Sequence, residues 1–156
     1  MGRIQVVPVK ERRGQMAKDD AKQAKGGTSP PGSDSLGLQW LDDVAAHDFD
    51  AALAYLSLKL DDKQAAAAVG RLRKAQVTHR RANDILRACS LVPLSLDDPG
   101  VRRDLFNAVS GKQLSPVLVI STDHGGDIAD GYHRVSLAYH LDPFGDVPLR
   151  IGAAPA

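Results

Sequence analysis

The spacing of apolar and polar positions changes character within the last third of the chain. Residues 116–120 form a short β-branched run typical of a buried strand, and the turn residues 122–126 separate it from a second short strand at 127–129. From Val135 to Leu141 the apolar residues follow helical spacing, and Asp142-Pro143 ends that helix. This part of the chain is therefore predicted to fold as strand, turn, strand and helix.

Helical spacing also dominates the region before residue 110. A first helix is predicted over 48–60 with Asp48 as its N-cap, and a second runs from Asp61-Asp62 to Lys74. Residues 81–88 are also helical in pattern, after a possible short strand at 76–79. A further helix starts with Asp98 as cap and Pro99 as first residue, and Gly111 stops it. Its predicted apolar face comprises Val101, Leu105, Phe106 and Val109.

A final strand at 147–151 completes a pattern in which strands and helices share one chain. The pattern predicts an α/β (α+β) fold, with a small mixed sheet and flanking helices in a single domain over residues 38–152. Its helical part covers about 48–110, and its strand-hairpin-helix-strand core covers about 115–152. Residues 1–37, rich in Lys, Gln, Gly, Ser and Pro, are predicted to be a disordered tail that can recruit a protein partner. Within it, residues 4–9 could pair as a strand or belong to a solvated arm.

Composition narrows the class of protein. With 43% hydrophobic and 25% charged residues, the 156-residue chain has the make-up of a soluble globular protein. No apolar run approaches the roughly 18 residues that span a bilayer, and no secretory signal is recognisable, so we expect a cytoplasmic protein without a membrane partner. The single cysteine, Cys89, falls in a helical pattern and is interpreted as a buried structural thiol.

The charge balance bears on nucleic-acid binding. A formal net charge of +1 disfavours a dedicated nucleic-acid binder, although the basic clusters at 71–74 and 79–81 could still contact phosphates. The first cluster also has a purely structural interpretation, since cations are favourable in the last turn of a helix.

Residues 130–134 concentrate groups that bind anions at the point where strand gives way to helix. A helix starting at Gly131 leaves its first N–H groups free for a phosphate or carboxylate, and glycine keeps the approach open. Arg134 can offer a bidentate fork to phosphate oxygens, and His133 can donate a hydrogen bond or accept a proton. Asp130 could act as a base or meet Mg²⁺. We therefore predict phosphate or nucleotide binding by Gly131, Tyr132, His133 and Arg134, and catalytic roles for Asp130 and His133.

The same residues also have structural interpretations. Asp130 is in position to be a simple N-cap, Tyr132 to be a packed aromatic residue, and Arg134 to be a solvated first-turn residue. His140 is interpreted as structural because it lies near the end of the helix. His124, in the turn, is either solvated or able to close over a ligand.

Taken together, residues 114–120, 128–138 and 147–151 resemble the ParB N-terminal and sulfiredoxin-like superfamily. The shared pattern is a proline-led strand, a hairpin, a Gly-x-His/Arg-Arg box that opens a helix, and a last strand entered through Val147-Pro148. Residues 55–151, including 82–88, resemble more closely a group of short stand-alone bacterial proteins of this fold. The resemblance covers about two thirds of the chain, and it implies that Gly131, His133 and Arg134 contact the phosphates of a nucleotide.

Departures from the family pattern limit what the resemblance implies. Sulfiredoxins carry a cysteine where this chain has Tyr132, and a phenol lacks the thiol needed to attack a sulfinyl phosphate, so sulfiredoxin activity is not expected. Partition proteins continue into a helix-turn-helix after this domain, so we do not expect a full partition protein. The free-serine kinases of the superfamily use additional acidic residues, for which Asp130 and Asp84 are possible analogues.

The predicted function is binding of a nucleotide or phosphorylated ligand at the start of the helix at 131, with phosphoryl transfer or hydrolysis as a possible reaction. A nucleoside triphosphate or diphosphate with Mg²⁺ would be the cofactor, and no protein metal site is predicted. The alternatives are a non-catalytic nucleic-acid-associated module that grips phosphates, and a regulatory module that binds a protein partner.

Overall fold

The fold is taken from a computed structural model that describes residues 37–156. The predicted tail, with its strand candidate at 4–9, lies outside the described residues except for Gly37. Within the described range, no helix is both long enough and apolar enough to cross a membrane.

Nine elements follow one another along the described chain. The helices are α1 (Ala46–Leu56), α2 (Asp62–Lys74), α3 (Ala82–Ala88), α4 (Pro99–Val109) and α5 (Tyr132–Leu141). The strands are β1 (Val77–Arg81), β2 (Val117–Thr122), β3 (Gly125–Asp130) and β4 (Asp146–Ala153). They build one four-stranded sheet in the order β1-β4-β2-β3, in which β2 and β4 run parallel and the other pairs antiparallel. The predicted mixed α/β class is confirmed.

Helices cover both faces of the sheet. On one face, α1 and α2 pack on Leu118, Ile120 and Ala129, and on the other, residues of α3, α4 and α5 pack with Val117 and Val119. Successive side chains of a strand point to opposite faces, so β2 needs apolar residues at every position. This is why residues 116–120 form an uninterrupted apolar run.

Two predicted helix starts are confirmed by their caps. The Asp61 carboxylate accepts a hydrogen bond from the backbone N–H of Gln64 at 2.8 Å, which caps α2. The Asp98 carboxylate accepts from the N–H groups of Gly100 and Val101 at 2.8 and 3.2 Å, and Pro99 is the first residue of α4. In both helices an aspartate satisfies backbone donors that have no partner within the helix.

The predicted N-cap role of Asp48 is wrong. Helix α1 starts two residues earlier, with Ala45 as N-cap, and it ends at Leu56 rather than at residue 60. Asp48 lies within the first turn, is 2% exposed, and turns its carboxylate to a residue of α5. A helix start chosen from the nearest aspartate failed here because the carboxylate binds a side chain instead of the backbone.

The predicted apolar face of α4 is partly wrong. Val101 is buried, but Phe106 and Val109 are 66% and 75% exposed, whereas Asp104 is buried. The face that contacts α5 and the core follows Val101, Asp104, Leu105 and Ala108. Residues 106 and 109 follow this face by one position each, which turns them about 100° around the helix. The prediction failed because it chose the buried face from apolar residues alone and therefore left out Asp104, which is buried.

Candidate functional site

The first turn of α5 carries free backbone donors. Gly131 is the N-cap residue in a left-handed conformation (φ +102°), and no side chain caps the helix. Among the described residues, no acceptor bonds the N–H groups of Tyr132, His133 or Arg134. The alternative in which Asp130 is the N-cap is therefore wrong. The helix end presents three N–H groups and the positive end of its dipole.

Glycine is required at position 131 for two reasons. A left-handed φ is strained for any residue with a side chain, and a Cβ there would lie 3.0 Å from the Arg134 guanidinium and 3.1 Å from a Val117 methyl group. The backbone at the start of α5 is thus packed closely on β2.

The Arg134 side chain is directed to carboxylates of the protein itself. Its Nη2 donates to Asp130 Oδ2 at 2.7 Å and to Asp48 Oδ2 at 3.0 Å, and the side chain is only 15% exposed. Its Nε is buried without a hydrogen-bond partner in the described structure. The sequence predicted that this guanidinium contacts a phosphate; in the structure it connects α5 to α1 past the end of β3.

Three carboxylates gather near this one guanidinium. Asp104 of α4 joins Asp48 and Asp130, and burial raises its pKa, although Arg134 and Arg103 act in the opposite direction. Burial also raises the pKa of Asp130, while Arg134 lowers it and Asp48 raises it. The carboxyl groups of Asp104 and Asp130 are therefore protonated more readily than those of exposed aspartates.

His133 joins the start of α5 to the start of α4. Its Nε2 lies 3.5 Å from Asp98 Oδ1, and a Cβ added at Gly100 would lie 2.3 Å from the imidazole Cδ2. The imidazole is therefore seated directly over the backbone of Gly100. With 43% of its side chain exposed, His133 remains accessible to a ligand.

Asp130, Gly131 and His133 line a cleft of about 740 Å³. Its floor is β3 and its end is the first turn of α5, including Gly131, Tyr132 and His133. One wall is α1, and the other is the segment Cys89, Ser90 and Leu91 that follows α3. His124, at the tip of the hairpin, also lines the cleft.

Two predicted residues are held by carbonyl groups. The Tyr132 hydroxyl donates to the Val92 carbonyl at 2.6 Å, which anchors the aromatic ring at the edge of the cleft. His140 lies 2.7 Å from the Leu94 carbonyl, a contact that fits its structural interpretation. Asp84 is outside the cleft lining and lies 3.7 Å from Arg87.

A hydrogen-bonded trio lies in the cleft and was not predicted. The Tyr55 hydroxyl donates to Asp127 Oδ1 at 2.8 Å, and Lys59 Nζ donates to Asp127 Oδ2 at 2.6 Å. The hydrogen bond to Asp127 raises the pKa of Lys59, and burial, with Asp127 beside it, raises the pKa of Tyr55. Lysine and phenol are therefore held in their protonated forms at neutral pH.

Cys89 contributes an unreactive thiol to the cleft wall. Burial raises its pKa to about 11, so the nucleophilic thiolate is scarce at neutral pH. A Cβ at Gly126 would lie 2.8 Å from the Cys89 sulfur, which shows how closely the thiol packs on β3. The interpretation of Cys89 as a structural thiol agrees with this packing, although the residue is only partly buried.

Internal contacts occupy several arginines of the two basic clusters. Arg71 donates to the carbonyls of Ala153 and Ala154, and the Arg73 guanidinium lies 4.4 Å from the Phe49 ring centroid. Arg80 bonds Thr78 and the carbonyl of His79. These contacts give Arg71 and Arg73 structural roles within the fold, while the favourable effect of the helix dipole on the last turn of α2 stays a prediction.

Sequence reasoning missed five residues of the cleft and the carboxylate cluster: Asp48, Tyr55, Lys59, Asp104 and Asp127. For Asp104 there was a usable signal, because a carboxylate within an otherwise apolar helix face needs a partner. Tyr55, Lys59 and Asp127 had no such signal, since α1 and β3 are distant in the sequence.

Within residues 37–156, no group of three or more His, Cys, Asp or Glu side chains is placed to hold a metal ion. Comparison with protein-family models, curated proteins and solved structures finds no match to this chain. The class that fold and site define is thus a mixed α/β domain with a cleft at a helix N-terminus.

Proposed function

We propose that this protein binds a phosphorylated small molecule, of which a nucleotide is the leading case, with a phosphate group at the first turn of α5. The observation that carries this proposal is the set of three N–H groups, of Tyr132, His133 and Arg134, that have no acceptor among the described residues, at a helix start whose residues 131–133 line the end of a cleft. Helix N-termini of this kind are well suited to phosphate groups.

The charges around the cleft are compatible with an anion. The Asp130 carboxylate is paired with Arg134, and the Asp127 carboxylate is paired with Lys59. Within these two pairs the charges cancel, so the helix dipole and the N–H donors favour an anion at the first turn of α5, against the carboxylates of Asp48 and Asp104, which lie outside the cleft lining. The volume of about 740 Å³ lies in the range typical of small-molecule sites.

In this proposal His133 and the backbone of α5 contact the phosphate, while Arg134 acts as a positioning residue. Its guanidinium is bonded to Asp48 and Asp130, so it holds the first turn of α5 against α1. A Mg²⁺ ion arriving with a nucleotide would meet the carboxylates of Asp127 or Asp130, which line the cleft.

The side chains of the cleft favour binding over covalent catalysis. Cys89 and Tyr55 both have raised pKa values, the opposite of what activates a nucleophile. We therefore place ligand binding first, and phosphoryl transfer remains a further step that requires a turnover assay.

The finer fold assignment belongs to the same proposal. A Gly-x-His-Arg box at a helix start beside a strand hairpin supports membership of the ParB N-terminal and sulfiredoxin-like superfamily, whose box binds nucleotide phosphates. The nucleic-acid alternative receives less support, because Arg71 and Arg73 are bonded within the protein or stacked on it.

The test is calorimetric titration of the full-length protein with ATP, ADP, CTP, GTP and inorganic phosphate, with and without Mg²⁺. Ala51 is exposed and lines the cleft, whereas Ala54 is exposed on the same helix and lies outside the cleft lining. We expect Ala51→Glu to weaken binding at least tenfold by charge repulsion, and Ala54→Glu to leave it unchanged.

An Ala51→Gln variant separates charge from bulk, because glutamine has the size of glutamate without its charge. Equal affinity of the parent protein and Ala51→Glu for the ligand would exclude the cleft as the binding site. Absence of any heat or thermal shift with all five compounds would overturn the proposal.

A further inference from the structure

Among residues 37–156, strand β3 pairs only with β2, so it is an edge strand of the described sheet. Thr122 and Gly125 close a two-residue loop, so they form a hydrogen-bonded pair of the antiparallel ladder. Along such a ladder, pairs whose residues hydrogen-bond each other alternate with pairs whose residues do not. The Ser121–Gly126 and Val119–Ile128 pairs are consequently the non-bonded ones. The N–H and C=O groups of Gly126 and Ile128 therefore point away from the sheet, and no described residue bonds them.

These unpaired backbone groups lie along the floor of the cleft. Gly126 and Ile128 both line it, between the α1 wall and the wall of residues 89–91. An edge that lies between two walls has room for one extended chain. Beyond Ile128, a bulge at Ala129 shifts the register before the strand reaches Gly131 and α5.

We infer that this cleft also binds a second class of ligand, a phosphorylated peptide that adds a strand to β3. The inference rests on the proposed function for its phosphate, which would meet the N–H groups at the start of α5. What the inference adds is the role of the peptide main chain, which would exchange hydrogen bonds with Gly126 and Ile128. From Gly126 to Gly131 the floor is about 16 Å long, which is about five extended residues.

Strand addition explains how such a cleft would discriminate among phosphates. Backbone pairing recognises any extended peptide, and side chains then alternate toward the α1 wall and toward the wall of residues 89–91. The phosphate at one end sets the register, because only one position of the peptide can place it on α5. A free nucleotide lacks a main chain with repeating N–H and C=O groups, so it cannot form this alternating pattern of bonds along β3.

The probe is a fluorescein-labelled library of eleven-residue peptides with a central phosphoserine and mixed residues elsewhere, measured by fluorescence polarisation with the full-length protein; five residues on either side of the phosphoserine match the length of the floor. We expect binding at least tenfold tighter than to the same library without phosphate, and competition by inorganic phosphate. Amide hydrogen exchange should slow at Gly126 and Ile128 when peptide is bound, and remain unchanged at Gly70, which lies in open surroundings on α2.

A second measurement uses the tightest peptide from the library with single N-methyl groups on successive backbone nitrogens. Strand pairing predicts a loss of about tenfold at alternate positions and little change between them, since only every second N–H faces β3. A uniform loss at all positions would overturn strand addition.

The outcomes separate the two proposals. Binding of nucleotides or inorganic phosphate, with no tighter binding of the phosphopeptides and no protection of Gly126 and Ile128, overturns the peptide inference and leaves the phosphate site standing. Absence of binding by any phosphorylated compound removes both. Protection of these amides in the free protein, together with a dimeric mass, would assign the edge to a second copy and overturn the inference.

Discussion

Arg134 shows how one side chain links the site to the stability of the domain. It holds Asp48, 86 residues earlier in the chain, and Asp130, four residues earlier, with a single nitrogen. A charge-assisted hydrogen bond shared in this way compensates one buried and one partly buried carboxylate. Its removal should therefore be felt first in folding and only then in ligand binding.

Replacing Arg134 with methionine should lower the free energy of unfolding by about 3 kcal/mol, because it leaves buried carboxylates without their cation. Urea unfolding measures the change. Arg87→Met is the matched control, since Arg87 is 79% exposed and lies 3.7 Å from Asp84, and it should cost less than about 1 kcal/mol.

Adding Asp48→Asn and Asp130→Asn to Arg134→Met should recover part of the loss, because the uncompensated charges are then gone. Equal stability of Arg134→Met and the parent protein would show that the ion pairs contribute nothing.

Among the elements, the starts of α4 and α5 meet at a contact between Gly100 and His133. Glycine at the second position of a helix usually costs stability relative to alanine. Here it makes room for the imidazole, which a Cβ would approach to 2.3 Å. The contact couples the cap of one helix to the ligand-facing turn of the next.

Gly100→Ala should destabilise the protein by about 1 kcal/mol or displace the His133 ring from Asp98, and in either case weaken phosphate binding. Gly70→Ala is the control, since nothing lies within 4 Å of its added Cβ, and it should stabilise by about 1 kcal/mol. Thermal and urea unfolding measure both.

The double variant Gly100→Ala/His133→Ala should be more stable than Gly100→Ala alone, because the clash is removed and the helical gain remains. If His133→Ala does not relieve the Gly100→Ala variant, the close contact is not the cause of its loss.

For the molecule as a whole, the buried carboxylates make stability depend on pH in an unusual direction. Asp104 and Asp130 have pKa values raised above the ordinary aspartate value of 3.8, with burial as the main cause. The folded protein then binds more protons than the unfolded chain in the window above 3.8. The contribution of these two groups to the free energy of unfolding is most favourable below pH 3.8, and it declines as pH rises through the pKa values that they have in the folded protein.

Asp104→Asn should therefore raise the stability at pH 7 relative to the parent protein, by about 1.4 kcal/mol for each unit by which the folded pKa of Asp104 is raised. The difference should vanish toward pH 3. Unfolding free energies measured from pH 3 to 7 check both the sign and the window. A variant that is less stable than the parent protein at pH 7 would show that the Asp104 carboxylate is compensated in the fold.

Much of the fold could be predicted from local sequence patterns, and particular elements show which features could not. The start of α2 at Asp61-Asp62, the cap Asp98, the apolar strand β2 and the helix after Gly131 were all predicted, because each depends on a few neighbouring residues. The start of α1 and the exposed position of Phe106 were not, because they depend on which partners lie nearby in space.

By itself, the sequence determined where helices and strands form, through the spacing of its apolar residues. It also placed a glycine at position 131, and hence the free N–H groups in the first turn of α5. These are local consequences of backbone geometry and hydrogen bonding. Only the tertiary structure decided that Arg134 binds carboxylates, that Tyr55 and Lys59 meet Asp127, and that β3 forms the floor of a cleft. The reason is that each of these contacts depends on how the helices pack across the sheet and at its edge, and local spacing does not encode that packing.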